Sequence, residues 1–437
     1  MDSKKSRLSP PPSPDETTPL NGKDELPLSG GDDDAPAPSS FGHAYFNMVK
    51  SMLGLGLFTM PFLTAKGGVV MAIVVLVIFA FVNYECVHLL AVCAAHENRR
   101  AGDCTRGSWK LVAEAAFGQP GVAVTVAVIF CTQIGVCTSY IDQLAHTFET
   151  EGHQKPTTIL PVLWICLSFV AMLIKPGLRE FAYVSFAGMG ALLYDTVLLG
   201  YFAVDSPSRN APIQTWVWSG MPAFLGPAIF AFECAPTALN IYTSMGQIEP
   251  DAFLRVSWCA YATGFVLILT VAVVGYLGFG DNVRRVVLFS FPNTPVGLSA
   301  QWVIDAVLFL SLNLQMMPIY QLSEDAILPA LRACRGGKGG DVQTFAARFL
   351  IRSTLVGCIV LLAYVLPDVE TVVGVSGAIF MTMTIAILPP IFYLKIKPDG
   401  STFYLTAFAY CVLPVGLAIM AVGLYGQIVL INSRAGI

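Results

Sequence analysis

Apolar runs of about 20 residues, the length that crosses a bilayer as a helix, alternate with short polar segments along most of the chain. They fall at about 42–65, 69–94, 121–146, 158–174, 181–204, 220–244, 254–279, 297–320, 346–366, 370–394 and 403–430, and predict eleven membrane-spanning helices. None shows the roughly ten-residue alternation of an outer-membrane barrel strand. Two runs are interrupted. The first contains KSMLGLGLFTMP from Lys50 to Pro61, with Gly54 and Gly56 one residue apart. Glycine and proline weaken a helix by about 1 and 3 kcal/mol relative to alanine, and in hydrocarbon an opened backbone survives only where it is buried in protein or lines a cavity. The sixth run reads FLGPAIFAFECAPTALNIY, with Pro227 and Pro236 on either side of Glu233. The two breaks lie about 180 residues apart, the length of five helices with their loops. Paired interruptions of this kind predict an inverted repeat enclosing a binding site at mid-membrane. The expected architecture is an all-α membrane protein in which spans 1–5 form one repeat, spans 6–10 the other, and span 11 is peripheral.

Composition agrees. Hydrophobic residues make up 55% and charged residues 12% of the chain, with a mean hydropathy of +0.66, against about 25% charged residues in soluble domains. Residues 1–40 are rich in Pro, Ser, Asp and Gly and read as a disordered tail ahead of a transmembrane domain at 41–437. The tail has no apolar run, so the first span is expected to serve as the insertion signal. Its DETTPL segment (Asp15 to Leu20) approaches an acidic dileucine signal but ends in Asn21; the near-match points to a vacuolar or lysosomal membrane ahead of the plasma membrane. With the N-terminus inside, eighteen Lys and Arg fall on the cytosolic side and six on the other, so the positive-inside rule places the N-terminus in the cytosol. Nine of eleven cysteines lie in or at the edges of spans and read as small packing residues rather than a disulfide framework. A net charge of −4 gives no reason to expect a nucleic-acid partner; the expected surroundings are the lipid bilayer, with the protein as a single copy.

Candidate chemistry concentrates at the breaks. Gly54 and Gly56 can expose backbone N–H groups, which with the helix dipole bind carboxylates; close helix packing through small residues is the alternative. Glu233 sits mid-span, where a charge costs about 2.5–3.5 kcal/mol. It must face a cavity, find a partner or take up a proton, which makes it a candidate proton acceptor, a partner for an ammonium group, or a clamp on the unwound segment. Lys50 is expected to point into the bundle toward a carbonyl or a carboxylate such as Glu233, or to snorkel toward the inner interface. Tyr140 sits among the polar Thr132, Gln133, Thr138 and Ser139 and offers a hydroxyl to a ligand or to the backbone. His88 and His43 are candidates for proton transfer, because histidine is the side chain whose charge changes near neutral pH, or packing residues. Asp142 and Asp305 are expected near the outer interface, Asp195 deeper, with Asn313 and Gln315 in span 8 as cavity polarity or interhelical glue.

The ordered motifs resemble the amino acid/auxin permease family, above all its proton-coupled amino acid transporter branch, from about Phe41 to span 11. They are KSMLGLGLFTMP; Cys86, His88 and Cys93 in span 2; TQIGVCTSY (Thr132 to Tyr140) in span 3; Phe232-Glu233 with Met245 and Phe253 further on; GYLGFGDNVRRVVLFSFPN (Gly275 to Asn293); and Gln315. The chain departs from the branch at Asn47, where a histidine is usual, at Cys234, where a glycine is usual, and at Asn240, Tyr242 and Thr243. The resemblance implies a LeuT-type fold and coupled transport of small neutral amino acids held between spans 1, 3, 6 and 8. It implies a substrate site from Ser51, Gly54, Leu55, Gly56, Tyr140, Phe232, Glu233 and Thr237. It implies proton coupling through Glu233, His88 and His43, with Lys50 and Gln315 in supporting roles. The proton is the expected coupling ion and no cofactor or metal is expected. Sodium, bound through Ser51 and Ser311, is the rival ion. An amino acid sensor signalling through its tail is the rival role, and no nucleophile–base arrangement suggests an enzyme.

Overall fold

The computed structural model describes residues 38–102, 108–150, 156–173, 178–206, 212–247, 249–334, 341–366, 369–399 and 401–435. The tail, apart from residues 38–40, and its DETTPL segment lie outside them. Below, the near face is the one at which α1 begins and the far face its opposite.

Every span expected from the hydropathy pattern is helical. The first is a bent pair, α1 (Phe41–Met52) and α2 (Leu55–Gly67), with 45° between its halves. Span 2 is α3 (Val69–Ala101), span 3 lies in α4 (Trp109–Thr150), span 4 is the shorter α5 (Pro156–Leu173) and span 5 is α6 (Leu178–Val204). The sixth divides into α7 (Met221–Phe230) and α8 (Ala235–Ser244), and span 7 is α9 (Asp251–Phe279). Span 8 is α10 (Pro295–Gln315) running into α11 (Met317–Cys334), and span 9 is α12 (Asp341–Val365). Span 10 is α13 (Val369–Ser376), two π-helical segments (Gly377–Met381 and Met383–Ile387) and α14 (Leu388–Ile396), and span 11 is α15 (Phe403–Ala435). Among the described residues nine helices are long and apolar enough to cross a membrane, the bent pair adds a tenth, and Thr157–Met172 of α5 is a shorter apolar helix.

Each break follows from local chemistry. Leu53 is extended (φ −87°, ψ 108°) and Gly54 lies outside the helical region (φ −141°, ψ −146°), so the first helix opens for two residues. In the sixth span Ala231 to Cys234 leave the helix, and Pro236 restarts it at a position where its missing N–H removes no hydrogen bond. The halves pack in pairs, α2 on α7 toward the far face and α1 on α8 toward the near face. The two openings therefore face each other at mid-bundle.

Small residues allow this approach. A Cβ added at Gly56 would lie 3.0 Å from the Ala231 Cα and 3.0 Å from the Phe230 ring, so the breaks touch backbone to backbone. Gly226 and Gly377 do the same for α7 and span 10: a Cβ on Gly377 would meet the Gly226 carbonyl at 2.0 Å. Between membrane helices, where lipid competes with every apolar contact, such close backbone contact is a main source of association. A third interruption, absent from the sequence reading, falls at Met316, two residues before Pro318, between α10 and α11.

Candidate functional site

Between the openings is a cavity lined by Ser51, Gly54, Gly56, Tyr140, Glu233 and Thr237, closed on its sides by Gln133 and Gln315 and by Met52, Phe230 and Cys234. Its volume is about 20 Å³, room for about one water molecule. Spans 1, 3, 6 and 8 all contribute. Ser51 and Thr237 donate their hydroxyl protons to backbone carbonyls one turn back, Met48 O at 2.9 Å and Cys234 O at 3.0 Å. Their oxygen lone pairs remain for a ligand. The Gln133 amide donates to the Gln315 carbonyl at 2.9 Å and approaches its side-chain oxygen at 3.3 Å, tying span 3 to the end of α10. Tyr140 stands beside the Gln315 amide, with its hydroxyl 2.4 Å from where a Gly54 Cβ would be.

Glu233 is 7% exposed, and neither carboxyl oxygen has a hydrogen-bond partner. Burying a carboxyl without a partner is costly, so this group is positioned for a proton or a cationic ligand. Lys50 does not meet it. Its ammonium donates instead to the carbonyl of Leu53, in the first opening, at 3.4 Å, while its methylenes lie against Gly188 of α6. A buried ammonium thus caps backbone that the break leaves without helical hydrogen bonds. Trp109, ahead of the Gly118 kink in α4, ties span 3 to the second break by donating from its indole to the carbonyl of Ala235, the first residue of α8, at 3.1 Å.

Other expected residues lie elsewhere. Leu55 and Phe232 are 0% exposed, pack into the core and do not line the cavity. His43 is near the start of α1, where its N–H donates to Ser40 Oγ. His88 faces Glu85, three residues earlier on α3, rather than the cavity. Asp305 is buried, 3% exposed, beside Thr147 and Gln143 of α4 and in electrostatic contact with the fully buried Asp195 of α6, the neighbour that span-by-span reading could not supply. Sequence reasoning also missed Met52, Phe230 and Cys234 as lining residues; no local pattern separates them from the apolar residues beside them.

Toward the far face a vestibule of about 660 Å³ opens between spans 3, 4 and 9, with Asp142, His146, Glu149, Arg284 and Arg285 on its walls and Phe62 at its inner edge. Arg285, in the segment between α9 and α10, pairs with the buried Glu370 of α13 at 3.3 Å. Both border a crevice shared with Thr59, Phe62 and Pro227, which adjoins the vestibule at Phe62 and Arg285. Replacing Arg285 with alanine is expected to loosen this closure. A cysteine placed at Thr59 should then react with a membrane-impermeant thiol reagent at least about threefold faster, the effect of losing ~0.7 kcal/mol of a partly exposed ion pair. An unchanged rate would show that the pair does not hold the crevice shut.

Comparison with known proteins places the chain. The family described as transmembrane amino acid transporter protein matches residues 37–429. The amino acid transporter AVT1H of Arabidopsis thaliana is 27% identical over 390 residues, covering 84% of each chain. The proton-coupled amino acid transporter-like protein pathetic of Drosophila melanogaster is 22% identical over 381 residues, covering 83% of this chain and 78% of the relative. Among solved structures, a manganese transporter from Eremococcus coleocola superposes with a TM-score of 0.50 at 10% identity over 92% of this chain and 99% of its own. The fold is the LeuT type.

Proposed function

Because the chain belongs to the transmembrane amino acid transporter family, we propose that it is a secondary active transporter of small neutral amino acids, driven by protons and working by alternating access. The observation that carries this reading is the cavity itself. Two unwound backbones and the unpartnered Glu233 carboxyl converge on one small space deep in the bundle. Exposed N–H groups suit the substrate carboxylate, Glu233 suits its ammonium or the coupling proton, and Phe230, Met52 and Tyr140 limit side-chain size. A volume of about 20 Å³ is too small for even glycine, so binding requires the bundle to open toward one face. Spans 1, 2, 6 and 7 rocking against the rest would provide that opening.

Protons are favoured over sodium by Lys50. A sodium ion at the first break would need the carbonyl oxygens there, but the Leu53 carbonyl already accepts from the Lys50 ammonium, whose like charge opposes a cation beside it. The name of the Drosophila relative agrees. The N-terminus is assigned to the cytosol by the distribution of Lys and Arg, and the protein to a vacuolar or lysosomal membrane as a monomer.

The test is uptake of labelled alanine, glycine or proline into proteoliposomes under an inward acid gradient. One proton per substrate lets each pH unit support about a tenfold concentration ratio. Uptake that ignores the pH gradient and follows a sodium gradient would replace the coupling ion. Ligand-induced stabilisation without counterflow of labelled substrate would replace the transporter with a sensor.

A further inference from the structure

Spans 4 and 9 carry a concavity that the central cavity does not use. A groove of about 530 Å³ runs between α5 and α12, from Thr157 and Tyr364 at its far-face end to Trp164 and Thr354. It is about 10 Å long, at 1.5 Å for each residue between Thr157 and Trp164. Its inner end is closed by specific packing. A Cβ on Gly357 would lie 3.1 Å from the Trp164 indole nitrogen, so the glycine lets that ring rest on the α12 backbone. The same indole donates to Ser353 O at 2.9 Å, and the Ser168 hydroxyl lies 3.1 Å from that of Ser353. Beside the groove, Val162 and Ile165 of α5 and Leu361 and Val365 of α12 are 50–63% exposed. On spans of this length such an apolar surface borders hydrocarbon.

The groove adjoins the vestibule at Leu160 and Tyr364, which line both. Leu160 is buried and Tyr364 is 54% exposed, so the tyrosine stands at the rim between lipid and the polar chamber. Each space has the volume of a small-molecule site, but their linings differ. The groove is apolar, whereas the vestibule presents exposed Arg284 and Glu149, charges of opposite sign. Among the described residues neither takes part in an ion pair.

We propose that groove and vestibule together bind one phospholipid of the far leaflet that carries an amine in its headgroup. An acyl chain fills the groove, the headgroup passes Tyr364 into the vestibule, its phosphate meets Arg284 and its ammonium meets Glu149. The guanidinium fork matches phosphate geometry. A free phosphate or a free amino acid has no use for the groove, and a headgroup without an amine leaves Glu149 unmatched. A second copy of the chain on α5 and α12 covers the groove but supplies nothing to the vestibule. The site depends neither on the coupling ion nor on the transported substrate.

The test uses the full-length protein in phosphatidylglycerol vesicles doped with phosphatidylethanolamine that bears a photoactivatable diazirine on one acyl chain, the labelled segments being mapped by mass spectrometry. Labelling is expected to concentrate on 157–164 and 354–364. Leu361→Trp, which fills the groove, should lower it at least about tenfold, the effect of excluding two methylenes. Arg284→Gln should lower it at least about tenfold, as for loss of a hydrogen bond to a charged group. A phosphatidylglycerol probe with the same chain should label these segments at least about threefold less, the effect of one partly exposed charge pair. Both substituted residues are exposed, so thermal stability should hold, and Val415→Trp on the lipid face of α15 should leave labelling unchanged. Labelling that covers every lipid-facing helix and ignores Leu361→Trp marks ordinary surrounding lipid and overturns the proposal. Groove labelling indifferent to Arg284→Gln and to the headgroup also overturns it, since the vestibule then holds no headgroup. Disulfide crosslinking between copies through Leu361→Cys overturns it in favour of a second chain.

Discussion

Glu233→Gln is expected to remove gradient-driven uptake while leaving a folded, ligand-binding protein. Glutamine keeps the shape and hydrogen-bonding capacity of a neutral carboxyl but cannot give up a proton. Neither Glu233 oxygen has a partner to lose, and an amide costs less in the membrane than an ionisable group, so thermal stability should hold or rise slightly. Net uptake under an acid gradient should fall by about 100-fold, ~2.7 kcal/mol, as for removal of a proton-transfer group. Counterflow should persist, because the unwound backbone that holds the substrate carboxylate is unchanged. Glu233→Asp, with its carboxyl drawn back by one methylene, should recover part of the flux. Full gradient-driven uptake by the glutamine variant would end the assignment of Glu233 as proton carrier.

Gly54→Ala should be the most damaging single-methyl change at the site, and it should be repairable. The added Cβ would sit 2.4 Å from the Tyr140 hydroxyl oxygen, with the next ring atom at 3.4 Å. Overpacking of this kind costs about 1–3 kcal/mol, and here the displaced group is a side chain that lines the cavity. Uptake should drop at least about tenfold with a matching loss of thermal stability. In a Tyr140→Phe background the offending oxygen is gone and the closest contact becomes ordinary. The double variant should therefore recover stability, with a coupling of about 1–2 kcal/mol in the double-mutant cycle, although transport stays low if the hydroxyl serves the substrate. Gly56→Ala makes the contrast. Its Cβ meets the Ala231 backbone at 3.0 Å, which no side-chain substitution can remove, so Tyr140→Phe should not repair it. A Gly54→Ala variant as stable and active as wild type would mean that the first break and span 3 are not in close contact.

How much of this was legible in advance varies by residue. Gly54, Gly56 and Glu233 stood out because each is expensive where it occurs, and cost is readable one residue at a time. Lys50 stood out for the same reason, and of the partners open to it, a carbonyl or a carboxylate such as Glu233, it meets the carbonyl of Leu53 three residues on. The resemblance implied Phe232 and Leu55 at the substrate; the structure turns both into the core, and Phe230 and Met52 line the cavity instead.

The helical segments, the two places where they open and the ionisable groups they carry could be read along the chain, because bilayer thickness and the local cost of glycine, proline and charge act on each segment alone. Only the tertiary structure decided which side of each helix meets the cavity, that Asp195 and Asp305 meet, and that Gly226 and Gly377 let α7 approach span 10. The reason is physical. A membrane helix is apolar toward lipid and apolar toward its neighbours alike, so its hydrophobic pattern carries little direction, and which face turns inward is settled by packing between segments far apart in the chain.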